Sequence, residues 1–250
     1  MERRVASEGR GAEKRRLSER REEGLRIILQ KSSRLMAEVG FHGTTMRTLS
    51  RATGRSLSGL YHYFASKEDL LYLINQHGFS TINETWKRMS PSFNTPEERL
   101  YAFIYLHTHY YVANMSEMRV MNWGTHHLER KRAMAIRKLK DQHAGDAREI
   151  VKKVHKATTG SSIGTQRLER LTYLLFGMMN WIFGWYSQKE HGSVDELIRD
   201  IYRTFMHGIG HSNSSSHLDD IESKVSESFR RHSASSLWDT AENRTGGETP

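Results

Sequence analysis

The chain has no cysteine among its 250 residues. That absence removes disulfides, thiolate metal sites and cysteine nucleophiles, and it suits a reducing compartment. Proline is nearly as scarce, occurring only as Pro91, Pro96 and Pro250. An interior proline removes a backbone donor and clashes with the preceding turn, so its rarity leaves room for long helices. The longest apolar run, Leu174 to Trp185, is interrupted by Gly177, Asn180 and Gly184. It falls short of the roughly twenty residues that cross a bilayer. Residues 1–23 are charged throughout and lack the apolar stretch of a secretory signal. The chain is therefore expected to be cytoplasmic, with no membrane partner. Alternation of period two is missing, whereas apolar spacings of three and four recur, which predicts an all-α fold.

Chemical motifs are sparse as well. There is no glycine-rich phosphate loop, no Gly-x-Ser-x-Gly elbow and no carboxylate pair on one helix face, so no catalytic residues, no cofactor and no enzyme are expected. His107 and His109 are two apart and His126 and His127 adjacent, spacings that point side chains apart on a helix and predict no metal site.

Positive charge is abundant. Lysine and arginine number 38 against 29 acidic residues, giving a formal net charge of +9. Residues 212–250 are net acidic, so the excess lies in the rest of the chain. Such a balance favours a polyanion, since each neutralised phosphate releases condensed counterions.

Three short helical patterns follow one another from Leu25 to Leu71. The first places Leu25, Ile28, Leu29, Ser32, Leu35, Met36 and Val39 on one face and ends at Gly40. Thr45 is placed to cap a second helix whose stripe is Met46, Leu49 and Ala52. Gly54 occupies the following turn, where a residue without Cβ reverses the chain at least cost. The third pattern runs from Ser56 to Phe64, with small residues first and aromatics last. Tyr63 and Phe64 are expected in the core. Arg55, Ser56, Leu57, Ser58 and Gly59, at the start of this third pattern, are the candidate base readers, and an unburied Arg55 could reach guanine O6 and N7.

The runs Gly40-Phe41-His42-Gly43-Thr44-Thr45-Met46 and Leu60-Tyr61-His62-Tyr63-Phe64-Ala65-Ser66-Lys67-Glu68-Asp69-Leu70-Leu71, with Gly54 between them, resemble the DNA-binding region of the tetracycline-repressor (TetR) family of bacterial regulators. The resemblance covers roughly residues 24 to 75. It departs from the usual pattern at Arg55, where a branched apolar residue normally stands, and at Ser58-Gly59. It implies a two-fold dimer with an N-terminal three-helix head and a C-terminal body holding the dimer interface and an inducer pocket. It also implies that Thr45, Tyr61, His62 and Lys67 touch phosphates or base edges. Hydroxyls and ammonium groups are good donors to phosphate oxygens and fix register without reading sequence.

The expected organisation is a charged flexible arm over 1–20, a helix-turn-helix DNA-binding domain over 21–67, a helical ligand-binding and dimerisation bundle over 68–211, and a disordered tail over 212–250. Capped starts at Ser66-Lys67-Glu68-Asp69 and Thr95-Pro96-Glu97-Glu98 open two body helices. The second carries the stripe Leu100, Phe103, Ile104, His107 and Tyr111. Met115 to Trp123 reads as a short helix and Leu128 to Lys156 as a long basic one bearing Met134, Ile136, Leu139, Ile150, Val151 and Val154. Two last helices, Leu168 to Ser187 and Val194 to Gly208, carry more apolar surface than one body can cover. Their residues, within 167–210, are the expected homodimer interface.

Aromatic residues with polar tips crowd the body. The run Phe176 to Tyr186 resembles regulators of the same family that serve fatty-acid, steroid or aromatic acyl-CoA metabolism. The expected pocket residues are Tyr105, His109, Trp123, Asn180, Trp181 and Trp185, with Asn180 notable as an amide needing a partner inside an apolar helix. The expected partners are then double-stranded DNA carrying a palindromic operator, a second copy of the chain, and a small hydrophobic or acyl-CoA-type effector. Two alternatives stay open: a DNA-binding dimer without effector, and a small-molecule-binding helical protein without DNA function.

Overall fold

The computed structural model describes residues 2–123 and 125–210. The expected tail over 212–250 lies outside the described residues. So do the side chains of residues 2–15, 17, 18, 123, 125, 209 and 210, and with them the pocket role expected of Trp123 and the interface role of Ile209.

Ten α-helices and no strand occur among the described residues. They are α1 Glu2–Gly43, α2 Met46–Thr53, α3 Leu57–Tyr61, α4 Lys67–Met89, α5 Pro96–Ala113, α6 Met115–Trp123, α7 Arg130–Thr159, α8 Thr165–Asn180, α9 Gln188–His191 and α10 Val194–Gly210. Short 3₁₀ turns follow α4, α6 and α8. Residues 2–210 form one compact unit.

The backbone of residues 2–20 continues α1. Ala, Glu, Lys, Arg and Leu dominate this stretch, and these are strong helix formers. Regular helix ends where expected, at Gly40, whose φ of 75° leaves the helical region.

Two apolar cores hold the unit. The first joins Ile28, Leu29 and Met36 of α1 to Leu49, Leu60, Phe64, Leu70, Leu71 and Ile74, then continues through Met118 and Met121 to Ile136. The head is thus not a separate ball. The first turns of α4, expected to open the body, belong to the core of the head. Helix α6 packs on both α1 and α4. Gly78 permits that approach, because a Cβ there would stand 2.6 Å from the Met121 sulfur. The second core unites Trp86, Leu100, Phe103 and Ile104 with Ile150, Val151, Val154, Leu175, Met179, Ile198 and Phe205. Every member of the predicted α5 stripe is buried: Leu100, Phe103, Ile104, His107 and Tyr111.

Five expectations need correction, beginning with Ala52, placed on the α2 stripe but exposed. Val39, placed on the buried face of α1, is 47% exposed beside the Gly40 break. Met134, placed on the buried face of α7, is 63% exposed. Helix α8 stops at Asn180, not Ser187, and Trp181–Gly184 form a 3₁₀ turn. That tighter turn buries the consecutive Ile182 and Phe183 while Trp181 and Trp185 face outward. Arg119 of α6 donates to the Phe183 carbonyl at 3.2 Å, giving it a partner outside its own segment. Finally, Leu175, Ile182, Ile201 and Phe205 are buried within a single chain. Among the described residues, the large apolar side chains left exposed on the expected interface are Tyr173, Leu174, Trp181 and Trp185.

Candidate nucleic-acid interface

Each bend of the α2–α3 unit is fixed by a local hydrogen bond. Thr45 caps α2, its hydroxyl accepting from the Thr48 amide at 3.1 Å while the Thr48 hydroxyl accepts from the Thr45 amide at 2.9 Å. This reciprocal pair satisfies two amide donors that a helix start leaves open. Gly54 ends α2 at φ 73°, the left-handed region that disfavours side chains. The Ser50 hydroxyl donates to the Arg55 carbonyl at 2.6 Å and pins the exit from that turn. Ser56 then caps α3 by accepting from the Gly59 amide at 3.1 Å.

Gly59 has a packing reason to lack a side chain, since a Cβ would sit 3.2 Å from the Ser56 hydroxyl oxygen. The third helix is shorter than expected and ends at Tyr61. Leu60 and Phe64 anchor it to the core, at 0% and 4% exposure. Tyr63 is partly buried against the same core, and its hydroxyl lies where a Cβ of Gly24 would clash.

With its inner face anchored, the unit turns the remaining predicted residues outward together. Thr45, Arg55, Ser56, Leu57, Ser58, Tyr61 and His62 are all exposed, with Gly59 half-buried among them. Arg47 and Arg51 of α2 are exposed as well. The face therefore offers hydroxyls, guanidinium groups and one phenol from a rigid frame.

Two predicted residues also reach other parts of their own chain. The Lys67 ammonium donates to the Phe41 carbonyl at 3.2 Å and lies 4.4 Å over the Phe41 ring. The Arg55 guanidinium reaches within 3.7 Å of the point a Gly24 Cβ would occupy, so it lies across α1.

The joint between this face and the body is aromatic and basic. Phe41 stacks on His127 at 4.2 Å, and His42 meets His127 edge-on at 4.9 Å. His126 and His127, expected to diverge, have ring centres 4.0 Å apart, because they sit in a 3₁₀ turn and not in an α-helix. Asp69 at the start of α4 pairs with Arg132 of α7.

In the body the five predicted pocket residues whose side chains are described, Tyr105, His109, Asn180, Trp181 and Trp185, do not share one cavity. Trp181 and Trp185 are exposed. His109 Nε2–H donates to the Asp195 carboxylate at 3.0 Å on the surface, joining α5 to α10. Tyr105 lines an open groove of about 510 Å³ with Tyr101 and Tyr202. Asn180 reaches a different cavity, one of about 300 Å³ between α4, α5, α7 and α8.

That cavity has a polar floor that the sequence reading missed. His107 Nε2 lies 3.0 Å from Asn180 Oδ1, and His107 Nδ1 lies 3.0 Å from His143 Nε2. Burial, and then the neighbouring His143, hold His107 well below the ordinary histidine range, against an opposing bond from Asn180. Burial lowers His143 to about 4. Both rings are therefore neutral at pH 7. A signal for His143 was available, since it falls seven residues after Ile136 and seven before Ile150, on the buried face of α7.

A three-helix head with an outward helix-turn-helix face, seated on a helical body, defines a DNA-binding regulator architecture. Residues 28–74 match the model for bacterial regulatory proteins of the tetR family, and residues 94–209 match the tetracycline-repressor-like C-terminal domain. The chain belongs to the TetR family of bacterial regulatory proteins.

The transcriptional repressor AcnR of Corynebacterium efficiens is 36% identical over 58 residues, 23% of this chain and 31% of that protein. The transcriptional regulator HbdR of Aromatoleum sp. (strain CIB) is 24% identical over 176 residues, 70% of this chain and 74% of that protein. Among solved structures, AibR in complex with isovaleryl coenzyme A and operator DNA superposes with a TM-score of 0.62 at 21% identity, covering 72% of this chain and 97% of that one. At that identity the likeness speaks for the fold.

Proposed function

We propose that the chain is a sequence-specific DNA-binding transcription regulator, a repressor, that acts in the cytoplasm as a homodimer on a palindromic operator and is released by a small hydrophobic or acyl-CoA-type effector. The observation that carries this reading is the outward face of α2 and α3. Arg55, Ser56, Leu57, Ser58 and Tyr61 are exposed together while Leu60 and Phe64 beneath them are buried. Small side chains at the start of the helix let its backbone approach a groove, and the phenol and guanidinium groups supply donors. AcnR, a named repressor, is similar to this chain over 58 residues.

Dimerisation follows from what the body leaves uncovered. Tyr173, Leu174 and Trp181 are each more than 60% exposed. Gly177 lies between them on α8, and a Cβ there would meet nothing within its own chain. Three large apolar side chains around an open glycine form a surface that a second helix can cover closely. In the proposed boundaries, residues 21–67 read DNA and residues 68–211 bind the effector and the second copy. The effector assignment draws on the body cavity and on AibR, a fold relative whose structure holds isovaleryl coenzyme A.

The test is selection of genomic fragments by the full-length protein, followed by a mobility-shift titration. Recovery of a shared palindromic site, lost on raising salt, is the expected result. Recovery of no shared sequence at low salt contradicts the proposal.

A further inference from the structure

The cavity between α4, α5, α7 and α8 is lined by two polar side chains, His143 and Lys140, with unused hydrogen-bonding capacity. His143 Nδ1 is buried and has no hydrogen bond. Lys140 is half-buried, its ammonium 5.2 Å from the Phe79 ring centre, and no carboxylate among the described residues pairs with it. Burial alone lowers its pKa, as expected for a cation withdrawn from water without a counter-charge. A buried group without a partner costs free energy, so both mark a place where an incoming molecule gains more than it would from water.

Lys140 and His143 are three residues apart on α7 and so are neighbours on one helix face. Phe79, Tyr111 and Phe176 supply the apolar part of the lining, and Asn122 and the Arg137–Asp141 ion pair, 3.8 Å apart, line the same cavity. We propose that this cavity binds a small organic carboxylate with an apolar body, its two oxygens shared between the Lys140 ammonium and His143 Nδ1–H. This deepens the effector reading above and rests on it.

The His143–His107–Asn180 row explains how a neutral imidazole can serve an anion. With Asn180 Oδ1 accepting from His107 Nε2–H, His107 Nδ1 accepts from His143 Nε2–H. His143 Nδ1 is then a bare acceptor, which repels a carboxylate. Turning the Asn180 amide reverses the row without moving a ring. The amide N–H then donates to His107 Nε2, His107 Nδ1–H donates to His143 Nε2, and His143 Nδ1–H faces the ligand. Both arrangements use the same two 3.0 Å contacts and differ only in tautomers and amide orientation. No net proton is taken up. Asn180 is thus a positioning residue for the far end of the cavity, and it sits where α8 gives way to the exposed Trp181 turn.

The experiment is calorimetric titration of the full-length protein with octanoate and phenylacetate, against octanamide and phenylacetamide, which keep the body and lose the charge. At least one acid is expected to bind, about tenfold or more tighter than its amide, because charge-assisted bonds are roughly twice as strong as neutral ones. Lys140→Met should erase the difference between acid and amide, and Lys140→Arg should retain most of it. Nitrogen NMR should show His143 Nδ1 passing from an unprotonated to a protonated nitrogen on binding, and Asn180→Leu should abolish that change. Acids and amides binding alike, no acid binding at all, or a difference that survives Lys140→Met would overturn the proposal. A mobility-shift arm separates this site from the function it serves. An acid that binds as described but leaves the DNA complex intact upholds the site and removes the effector reading. Release of DNA by octanoyl-CoA with no acid bound does the opposite.

Discussion

The ammonium of Lys67 rests on Phe41, donating to its carbonyl at 3.2 Å and lying 4.4 Å over its ring. One side chain thereby ties the start of α4 to the chain just past the Gly40 break, at the seam between head and body. Phe41 in turn stacks on His127. Lys67→Ala should lower stability by about 1 kcal/mol, the sum expected of one partly exposed hydrogen bond and a cation–π contact. Urea denaturation checks this, and an unchanged midpoint would mean that the contact contributes nothing.

Tyr61 and Leu60 are adjacent and opposite in fate. Tyr61 is 54% exposed and Leu60 fully buried. Tyr61→Ala should weaken DNA binding about equally across sequences and leave the denaturation midpoint in place. Leu60→Ala should cost about 2–5 kcal/mol of stability through the cavity it leaves. Fluorescence anisotropy on operator and scrambled duplexes, paired with thermal melts of both variants, distinguishes the two roles.

Arg55 lies across α1 in the free protein, within reach of Gly24. To read a guanine it must swing off that helix. Arg55→Ala should relax preference at one position of each half-site, worth about 1–3 kcal/mol there, while preserving the rest of the operator. Repeating the fragment selection with the variant measures this, and a parental sequence preference would assign Arg55 to the α1 junction alone.

The buried histidines give stability a definite dependence on pH. His107 and His143 are held neutral in the folded state, with His143 lowered to about 4 from an ordinary 6.5. Above 6.5 neither state binds a proton at these rings, so they add no slope. Between 6.5 and about 4 the unfolded chain takes up protons that the folded chain refuses, and stability falls as pH falls. The loss is on the order of 1 kcal/mol per pH unit per ring within that window. Urea titrations from pH 8 to 5 should show a plateau and then this decline, and His143→Gln should make the decline shallower.

Leu174 and Trp181 are exposed on either side of Gly177. Leu174→Glu places a charge in the proposed two-fold interface while leaving the protomer core intact. Light scattering should find a monomer in place of a dimer, with unchanged helical content by circular dichroism and operator binding weakened by at least about tenfold, since a single head buries little DNA. A dimer that persists in the variant would move the interface elsewhere.

What could be read from sequence was what single residues decide locally. Thr45, Gly54, Ser66 and Thr95-Pro96 act through bonds to neighbours a few positions away, so the helix starts and the turn were legible. The α5 stripe was legible because burial repeats with the helix. Contacts between distant segments were not. His107 meets His143, 36 positions further along the chain, and nothing near either residue announces the other. The break of α8 at Asn180 was hidden for the same reason, since the Arg119 that bonds to Phe183 comes from another helix. The expected pocket residues whose side chains are described also do not line one cavity together. Aromatic composition identifies neither core nor surface, and Trp181 and Trp185 proved exposed while Asn180 turned inward.

The central claim is that the outward face of α2 and α3 meets DNA. Amide hydrogen exchange of the full-length protein, with and without a fragment recovered by selection, tests it residue by residue. The account predicts slowed exchange over residues 45–62 with the fragment present. Protection confined to the basic helix α7, with residues 45–62 unchanged, would contradict it.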